Sequence, residues 1–252
     1  MRKVLVIGDS CIDKYIYCKT DRFCPDAPVP VLTPEEKIQS LGMAGNVADN
    51  LRALDTNVTF LTNKQTIIKA RYVDNRTNHM FIRVDEGERD ISRIDKNVLK
   101  SVTWQDYDAV VISDYDKGFL DEDDINHIAK QHAVTFLDTK KQIDEWTLPI
   151  KYIKINEVEL DKSIGFLHDN HDLYSKKVIT TLGSKGAQYL GSLYTVEEVD
   201  VRDTSGAGDT FLAALVCEYI NSQDIVKAIK FANKCSTQVV QKKGTAKIQL
   251  PL

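Results

Sequence analysis

No apolar run in this chain approaches the ~20 residues that a membrane-spanning helix needs. The most apolar stretch, Phe211 to Ile220, is interrupted by Glu218 and reads as a core helix. The run Val4-Leu5-Val6-Ile7 behind Met1-Arg2-Lys3 is too short for a secretory signal and reads as a first strand. No two cysteines have CxxC spacing. The five stand at 11, 18, 24, 217 and 235, an odd number, so neither a disulfide framework nor a zinc site is indicated. The sequons at Asn57 and Asn75 then meet no glycosylating compartment, and a cytoplasmic location is expected. Positive charge is not in excess either. Lys and Arg number 33 against 37 Asp and Glu, a formal net charge of −4, which argues against nucleic-acid binding through bulk charge. Internal repeats, low-complexity tracts and Gly/Ser linkers are lacking. So are GxxxxGK[ST], HRD…DFG and HExxH, which excludes the obvious rival nucleotide and metal folds.

What remains is ordinary globular composition, 42% hydrophobic and 28% charged, in 252 residues. That length fits one large domain, residues 1–252, with no room for a second catalytic one. Apolar β-rich runs at Val4–Ile7, Val58–Leu61, Ala109–Ser113, Val134–Asp138, Tyr152–Ile155 and Val178–Thr181 predict strands. Several are apolar throughout, as strands covered on both faces are. Gly45–Leu54, Asp121–Lys130, Ala207–Asn221 and Ile225–Val240 predict helices between and after them. The alternation implies a doubly wound, mostly parallel α/β sheet. Two regions break it: the extended stretch from Tyr15 through Pro34, and two strands, Thr66–Arg71 and His79–Asp85, joined by the turn Asp74-Asn75-Arg76. Together, at about 13–40 and 66–85, they are expected to form a small separate sheet, a candidate lid.

The strongest local signal is Asp203-Thr204-Ser205-Gly206-Ala207-Gly208-Asp209-Thr210, opening the apolar helix. Gly206 and Gly208 let the backbone of Gly206, Ala207 and Gly208 turn tightly and aim N–H groups at one point, with the positive end of a helix behind them. Such a nest suits a phosphate, or the charge that builds during phosphoryl transfer. Asp209, in the first turn, could accept a proton from an attacking hydroxyl. Spacing alone is equally met by an ordinary Gly-rich, Asp-capped helix start. Asp13, close after the first strand, stands where open α/β sheets place their ligands, though an Asp there is commonly a turn or cap. Asn46, at the start of a helix, either caps it or offers its amide to a ligand. Lys69 and Arg71 alternate on one face of a predicted strand, with Arg83 on its expected partner. They are either a clamp for an anionic group or a solvated edge.

The octapeptide closely resembles the second signature of the ribokinase/PfkB-type carbohydrate kinases, D-T-x-G-A-G-D. Asn156-Glu157-Val158-Glu159 looks like the N-x-x-E motif of that family, and Leu41-Gly42-Met43-Ala44-Gly45-Asn46-Val47-Ala48 resembles its substrate segment G-G-x-x-x-N-x-A. The likeness runs from residue 4 to about 248. One branch is closest, the bacterial D-glycero-β-D-manno-heptose 7-phosphate kinases. Gly8-Asp9 through Tyr15 is similar to G-D-x-x-x-D-x-Y, Phe23-Cys24-Pro25-Asp26-Ala27-Pro28-Val29-Pro30-Val31 to I-S-P-E-A-P-V-P-V, and Ser113-Asp114-Tyr115-Asp116-Lys117-Gly118 to S-D-Y-x-K-G.

The resemblance implies a ribokinase-like fold, ATP as phosphoryl donor with Mg²⁺, and a sugar phosphate as acceptor, with no nucleic-acid or membrane partner. It implies that Asp13, Gly42, Gly45 and Asn46 bind the sugar, and if Lys69, Arg71 and Arg83 are a clamp and not a solvated edge, the sugar's distal phosphate is what they would hold. Asn156 and Glu159 would organise Mg²⁺ and phosphates, and Thr181, Gly183 and Gly186 would face the nucleotide. Phe231-Ala232-Asn233 and Lys243-Gly244-Thr245 would lie on the adenine side, and Asp138-Thr139-Lys140 stands where D-P-K is common. In-line transfer to O1 of a heptose 7-phosphate follows. A different sugar or nucleoside kinase of this fold, and a non-catalytic module binding sugar phosphate or nucleotide, are the alternatives. Two departures stand out. Met43 replaces a glycine and is expected to put a side chain where backbone approaches sugar. After Leu61 a stretch of about 30 residues, the size of a βαβ unit, is missing. With the chain ending at Pro251-Leu252, a stand-alone kinase is expected, which leaves nucleotidyl transfer to another protein. The lid edge offers a surface for pairing with a second copy.

Overall fold

The computed structural model describes residues 1–250, so Pro251 and Leu252 lie outside the described residues. Strands are β1 (Lys3–Gly8), β2 (Ser10–Lys19), β3 (Thr33–Met43), β4 (Asn57–Leu61), β5 (Ile67–Asp74), β6 (Met80–Glu86), β7 (Ala109–Asp114), β8 (Thr135–Thr139), β9 (Tyr152–Asn156), β10 (Val178–Thr181), β11 (Ala187–Tyr189) and β12 (Ser192–Tyr194). Helices are α1 (Ala44–Ala53), α2 (Lys96–Lys100), α3 (Glu122–Gln131), α4 (Glu157–Asp169), α5 (His171–Tyr174), α6 (Ala207–Ser222) and α7 (Ile225–Val239).

The large sheet has the order β12-β11-β10-β9-β8-β7-β1-β4. Its strands from β4 to β10 are parallel, and β11 and β12 close the far side antiparallel. Both faces are covered, which is why the strands read as continuous apolar runs. Val4, Val6, Ala109 and Val111 pack beneath α1, α6 and α7, whereas Leu5, Ile7, Val110 and Ile112 pack toward α3 and its neighbours. Helix α6 is buried nearly all round, from Asp209 to Ile220, so it carries no polar stripe of its own. The short β11–β12 hairpin has no counterpart among the predicted strands. Its strands are three residues each and carry too little period to be read.

A second sheet, β3-β2-β5-β6, stands apart. Its first part, residues 10–43, is longer than expected at both ends, because β2 follows β1 directly after Asp9 and β3 runs straight into α1, and its second part spans residues 67–86. Cross-strand register places Asp13 beside Lys69, Tyr15 beside Arg71, and Arg71 opposite Arg83. The connection from β4 to β5 is five residues, and β4 is the terminal strand of the large sheet. A βαβ unit inserted there would extend an edge without disturbing the interior.

No helix among the described residues is long and apolar enough to cross a membrane.

Candidate active site

The carboxyl ends of β1, β7, β8, β9 and β10 open toward one crevice, and the polar residues that follow them converge there. The N-terminus of α6 closes it from the side. Gly206 caps α6 with φ +79°, a left-handed conformation that favours glycine. A Cβ there would also lie 2.5 Å from Asn46 Nδ2. Of the three amides expected to form the nest, Ala207 N–H turns back to Thr204 O at 3.2 Å. Among the described residues the N–H groups of Gly206, Gly208 and Asp209 meet no acceptor, so the open donors are Gly206, Gly208 and Asp209 rather than Gly206, Ala207 and Gly208.

Asp209 sits in the first turn with 4% of its surface exposed. One carboxylate oxygen accepts from Tyr115 Oη at 2.6 Å and the other from Asn46 Nδ2 at 3.0 Å. Burial pushes its pKa up to about 6, and the Tyr115 and Asn46 hydrogen bonds hold it from going higher. Burial, with the Asp209 charge alongside, pushes the Tyr115 phenol well above its usual range, so it is the donor of this pair.

Asn46 is not the helix cap that was one of its two expected roles. It is inside α1, whose cap is Met43, and it caps nothing. Its amide nitrogen is committed to Asp209 and, at 3.3 Å, to Gly206 O. Its oxygen accepts from Asn50 Nδ2 at 2.9 Å, and Asn50 Oδ1 accepts from Ile248 N at 3.0 Å. The chain of bonds fixes which end of the Asn46 amide faces the carboxylate.

Met43 also departs from expectation. It adopts φ +57°, as the glycine it replaces would, but its side chain turns inward against Cys11 and Ile67, with Tyr115 packed alongside. It supports the tyrosine from beneath. Gly42 is required by close approach, since a Cβ there would strike the Asp13 carboxylate and come within 2.7 Å of Cys11 Sγ. Gly45 faces Ser10 Oγ and Leu41 with equally little room.

The small sheet turns its inner face to this crevice. Asp13 forms an ion pair with Arg71, whose guanidinium lies 5.1 Å from the Tyr15 ring centroid. Lys69 and Arg83 share that face, but Lys69 pairs with Glu88 at 3.5 Å and Arg83 with Asp85 at 2.8 Å. A cleft of about 280 Å³ opens between Tyr15, Arg71 and Asn78 on the sheet and Arg202 to Ser205 on the loop before α6.

On the other side of Asp209, Asn156 and Glu159 form a reciprocal capping box at the start of α4, Asn156 as cap and Glu159 as its third residue. They are a unit of the helix end and not merely two groups sharing a surface face. Glu159 is buried and ion-paired with Lys140. Thr181 lies beside Asn156 across the β9–β10 pair, and Gly183 and Gly186 follow it with positive φ. Asn233 is engaged elsewhere, its amide donating to Tyr194 O at 2.7 Å and tying α7 to β12. Gly244 N–H donates to Asp203 at 3.1 Å, and the residue lies against the Tyr15 ring.

Four further residues belong to the site. Asp9 is fully buried and accepts from the N–H groups of Tyr115, Lys117 and Phe119, which pins the loop carrying Tyr115. Burial, with Asp114 nearby, raises its pKa against those three bonds. The other three are Tyr115, Asn50 and Lys154. Lys154 left a trace in the sequence, as a charge inside the apolar run of β9. Asn50 left none, because its importance lies in which atoms it meets.

Residues 61–251 match the pfkB family carbohydrate kinases. The bifunctional protein HldE of Helicobacter pylori (strain J99) is 31% identical over 297 aligned positions, covering 98% of this chain, and the chain spans 64% of that protein's length. HldE of Nitratiruptor sp. is 30% identical over 97% of the chain and 62% of its own length. Both aligned spans are longer than the 252 residues here, so those relatives carry internal residues that this chain lacks. Among solved structures, Thermotoga maritima ribokinase aligns with TM-score 0.73 at 16% identity over 97% of this chain and 95% of its own. Arabidopsis thaliana ribokinase, complexed with ribose and ATP, aligns at 0.69 and 17% over 98% and 96%. By family match, relatives and fold alike, the chain belongs to the pfkB family of carbohydrate kinases, phosphotransferases that act on an alcohol group.

Proposed function

We propose that the chain transfers the γ-phosphoryl group of ATP to O1 of a heptose 7-phosphate, giving the 1,7-bisphosphate. The observation that carries the phosphoryl chemistry is Asp209 buried beside open N–H groups at the start of α6. The acceptor hydroxyl gives its proton to Asp209. Its oxygen bonds to the γ-phosphorus while the bond from that phosphorus to the β–γ bridging oxygen breaks, the electron pair leaving with ADP. The Gly206, Gly208 and Asp209 amides donate to the charge that develops. Asn46 and Tyr115 aim the base, and the small sheet acts as a lid that keeps water from competing as acceptor.

Asn156 and Glu159 fit a cation held through water rather than a cage. Glu159 already carries an ammonium against its carboxylate, and no cluster of three acidic, His or Cys ligands exists among the described residues. Mg²⁺ placed there would neutralise the ATP phosphates.

The heptose 7-phosphate reading rests on the branch resemblance, the HldE likeness and the cationic cleft. Arg71 and Arg202 both line that cleft and would hold the distal phosphate. Lys69 and Arg83 are engaged by carboxylates and do not line it. Strands β3 and β6 have open outer edges where a second copy would pair, which light scattering would detect.

ADP release measured over a sugar panel, each sugar with and without a distal phosphate, tests the function. Turnover dependent on a phosphorylated heptose is expected. Equal rates on unphosphorylated sugars would remove the 7-phosphate reading, and absence of any sugar-dependent ADP release would remove catalysis.

A further inference from the structure

We propose that Lys154 is a catalytic residue that binds the phosphoryl group in transit, together with the open amides of α6. Lys154 sits in β9 between Ile153 and Ile155, and its side chain, 4% exposed, points to the face opposite theirs, toward α6. Its Nζ donates to Asp138 Oδ2 at 2.8 Å. The other two hydrogens of the ammonium meet no acceptor among the described residues. A Cβ built on Gly208 would lie 3.1 Å from this Nζ, so the ammonium rests against the first turn of α6, where the N–H groups are open.

Two positive features are thus held side by side out of water, a helix N-terminus and a buried ammonium. Each raises the cost of the other, and neither has its donors filled. An anion between them removes both costs. A second observation points the same way. Asp138 Oδ1 is buried without a hydrogen-bond partner, and Lys140 Nζ is 4.0 Å away. Asp138 thus uses one oxygen to aim Lys154 and leaves the other free to follow when the ammonium turns to a phosphoryl oxygen. The Lys154 charge also lowers the pKa of Asp209.

During transfer, negative charge spreads over the three non-bridging oxygens of the phosphoryl group, while bond breaking and proton movement are those described above. Lys154 donates two hydrogens to those oxygens and transfers no proton. The inference rests on phosphoryl transfer from ATP and is independent of which sugar accepts.

The test compares Lys154→Met, Lys154→Arg and the double variant Asp138→Asn/Lys154→Met, which removes both charges of the buried pair and so preserves folding. Turnover is measured with the best acceptor of the panel, and binding of ADP with Mg²⁺ is measured by calorimetry with and without aluminium fluoride as mimic of the phosphoryl group. We expect Lys154→Met and the double variant to lose at least 100-fold in kcat with the KM for ATP and the affinity for ADP within about threefold. Tightening by aluminium fluoride should vanish in both, and Lys154→Arg should restore part of each. A double variant within fivefold of wild-type kcat would show that Lys154 only neutralises Asp138 and would overturn the proposal. So would aluminium fluoride tightening retained in Lys154→Met. The fluoride measurement needs no turnover, so a wrong choice of sugar leaves it readable.

Discussion

The Tyr115 hydroxyl donates to Asp209 at 2.6 Å, while the carboxylate beneath it is buried enough to hold its proton up to about pH 6. The carboxylate proposed as the base is therefore kept ionised near neutrality by a phenol from another strand end.

Removing that phenol should move the pH dependence. Tyr115→Phe takes away a bond that stabilises the ionised form, so the pKa of Asp209 rises further. The acid limb of kcat/KM, which climbs as Asp209 loses its proton, should shift to higher pH, with a larger loss at pH 6 than at pH 8. A pH–rate profile checks this, and an unmoved acid limb would show that Tyr115 does not tune the base.

Asp209→Asn should be nearly inactive yet more stable at alkaline pH. General-base catalysis contributes ~10²–10⁴-fold, so kcat should fall by about 10³ with ADP binding retained. Activity within tenfold of wild type would remove Asp209 as the base. The folded pKa of about 6 lies above the ordinary 3.8 of an aspartate, so ionisation costs stability. That cost is absent below pH 4, grows through pH 4 to 6, and is complete above, on the order of 3 kcal/mol. An amide escapes it but faces Asn46 donor to donor, at about 1–2 kcal/mol. The melting temperature of the variant relative to wild type should accordingly be higher at pH 8 than at pH 5.

Gly206→Ala should cost both stability and rate. The added methyl meets Asn46 Nδ2, and the left-handed φ of +79° disfavours any side chain by roughly 1–2 kcal/mol. Displacing Asn46 frees Asp209 from one of its two orienting bonds. Chemical denaturation and kcat should fall together. Ala207→Gly, which leaves the cap geometry intact, should lower stability by no more than about 1 kcal/mol.

Arg71→Met should raise the KM for the phosphorylated sugar by at least tenfold, a loss of about 1.4 kcal/mol of binding. Arg202→Met should raise it by a similar factor, whereas Arg83→Met, at an exposed pair with Asp85, should change it less than threefold. Equal effects of Arg83 and Arg202 would place the phosphate on the sheet face instead of in the cleft.

How far the sequence carried can be read residue by residue. Several of the six parallel strands, β1 and β7 foremost, were legible because a strand covered on both faces is apolar almost throughout, and α6 because it is apolar at nearly every position. The Gly206–Asp209 turn was legible because only glycine tolerates those backbone positions next to other groups. The contact of Asn46 with the Asp209 carboxylate was not legible, since an amide near a helix start looks the same whichever group it faces. Met43 was read as intruding, because a sequence does not say which way a side chain turns. Lys154 stood in plain view inside β9, and its neighbour Asp138, sixteen residues earlier, gave no hint of the pair.

The sequence by itself determined the layered sheet and the glycine-rich start of α6 with Asp209 in its first turn, since each rests on backbone constraints and local periodicity. Only the tertiary structure decided what surrounds that base. Tyr115 follows β7, and Asn46 and Asn50 lie in α1 behind β3, all far from Asp209 in the chain; Tyr115 and Asn46 meet its carboxylate directly and Asn50 acts through Asn46. Hydrogen bonds and burial there, rather than residue type, set which group is ionised and which is neutral.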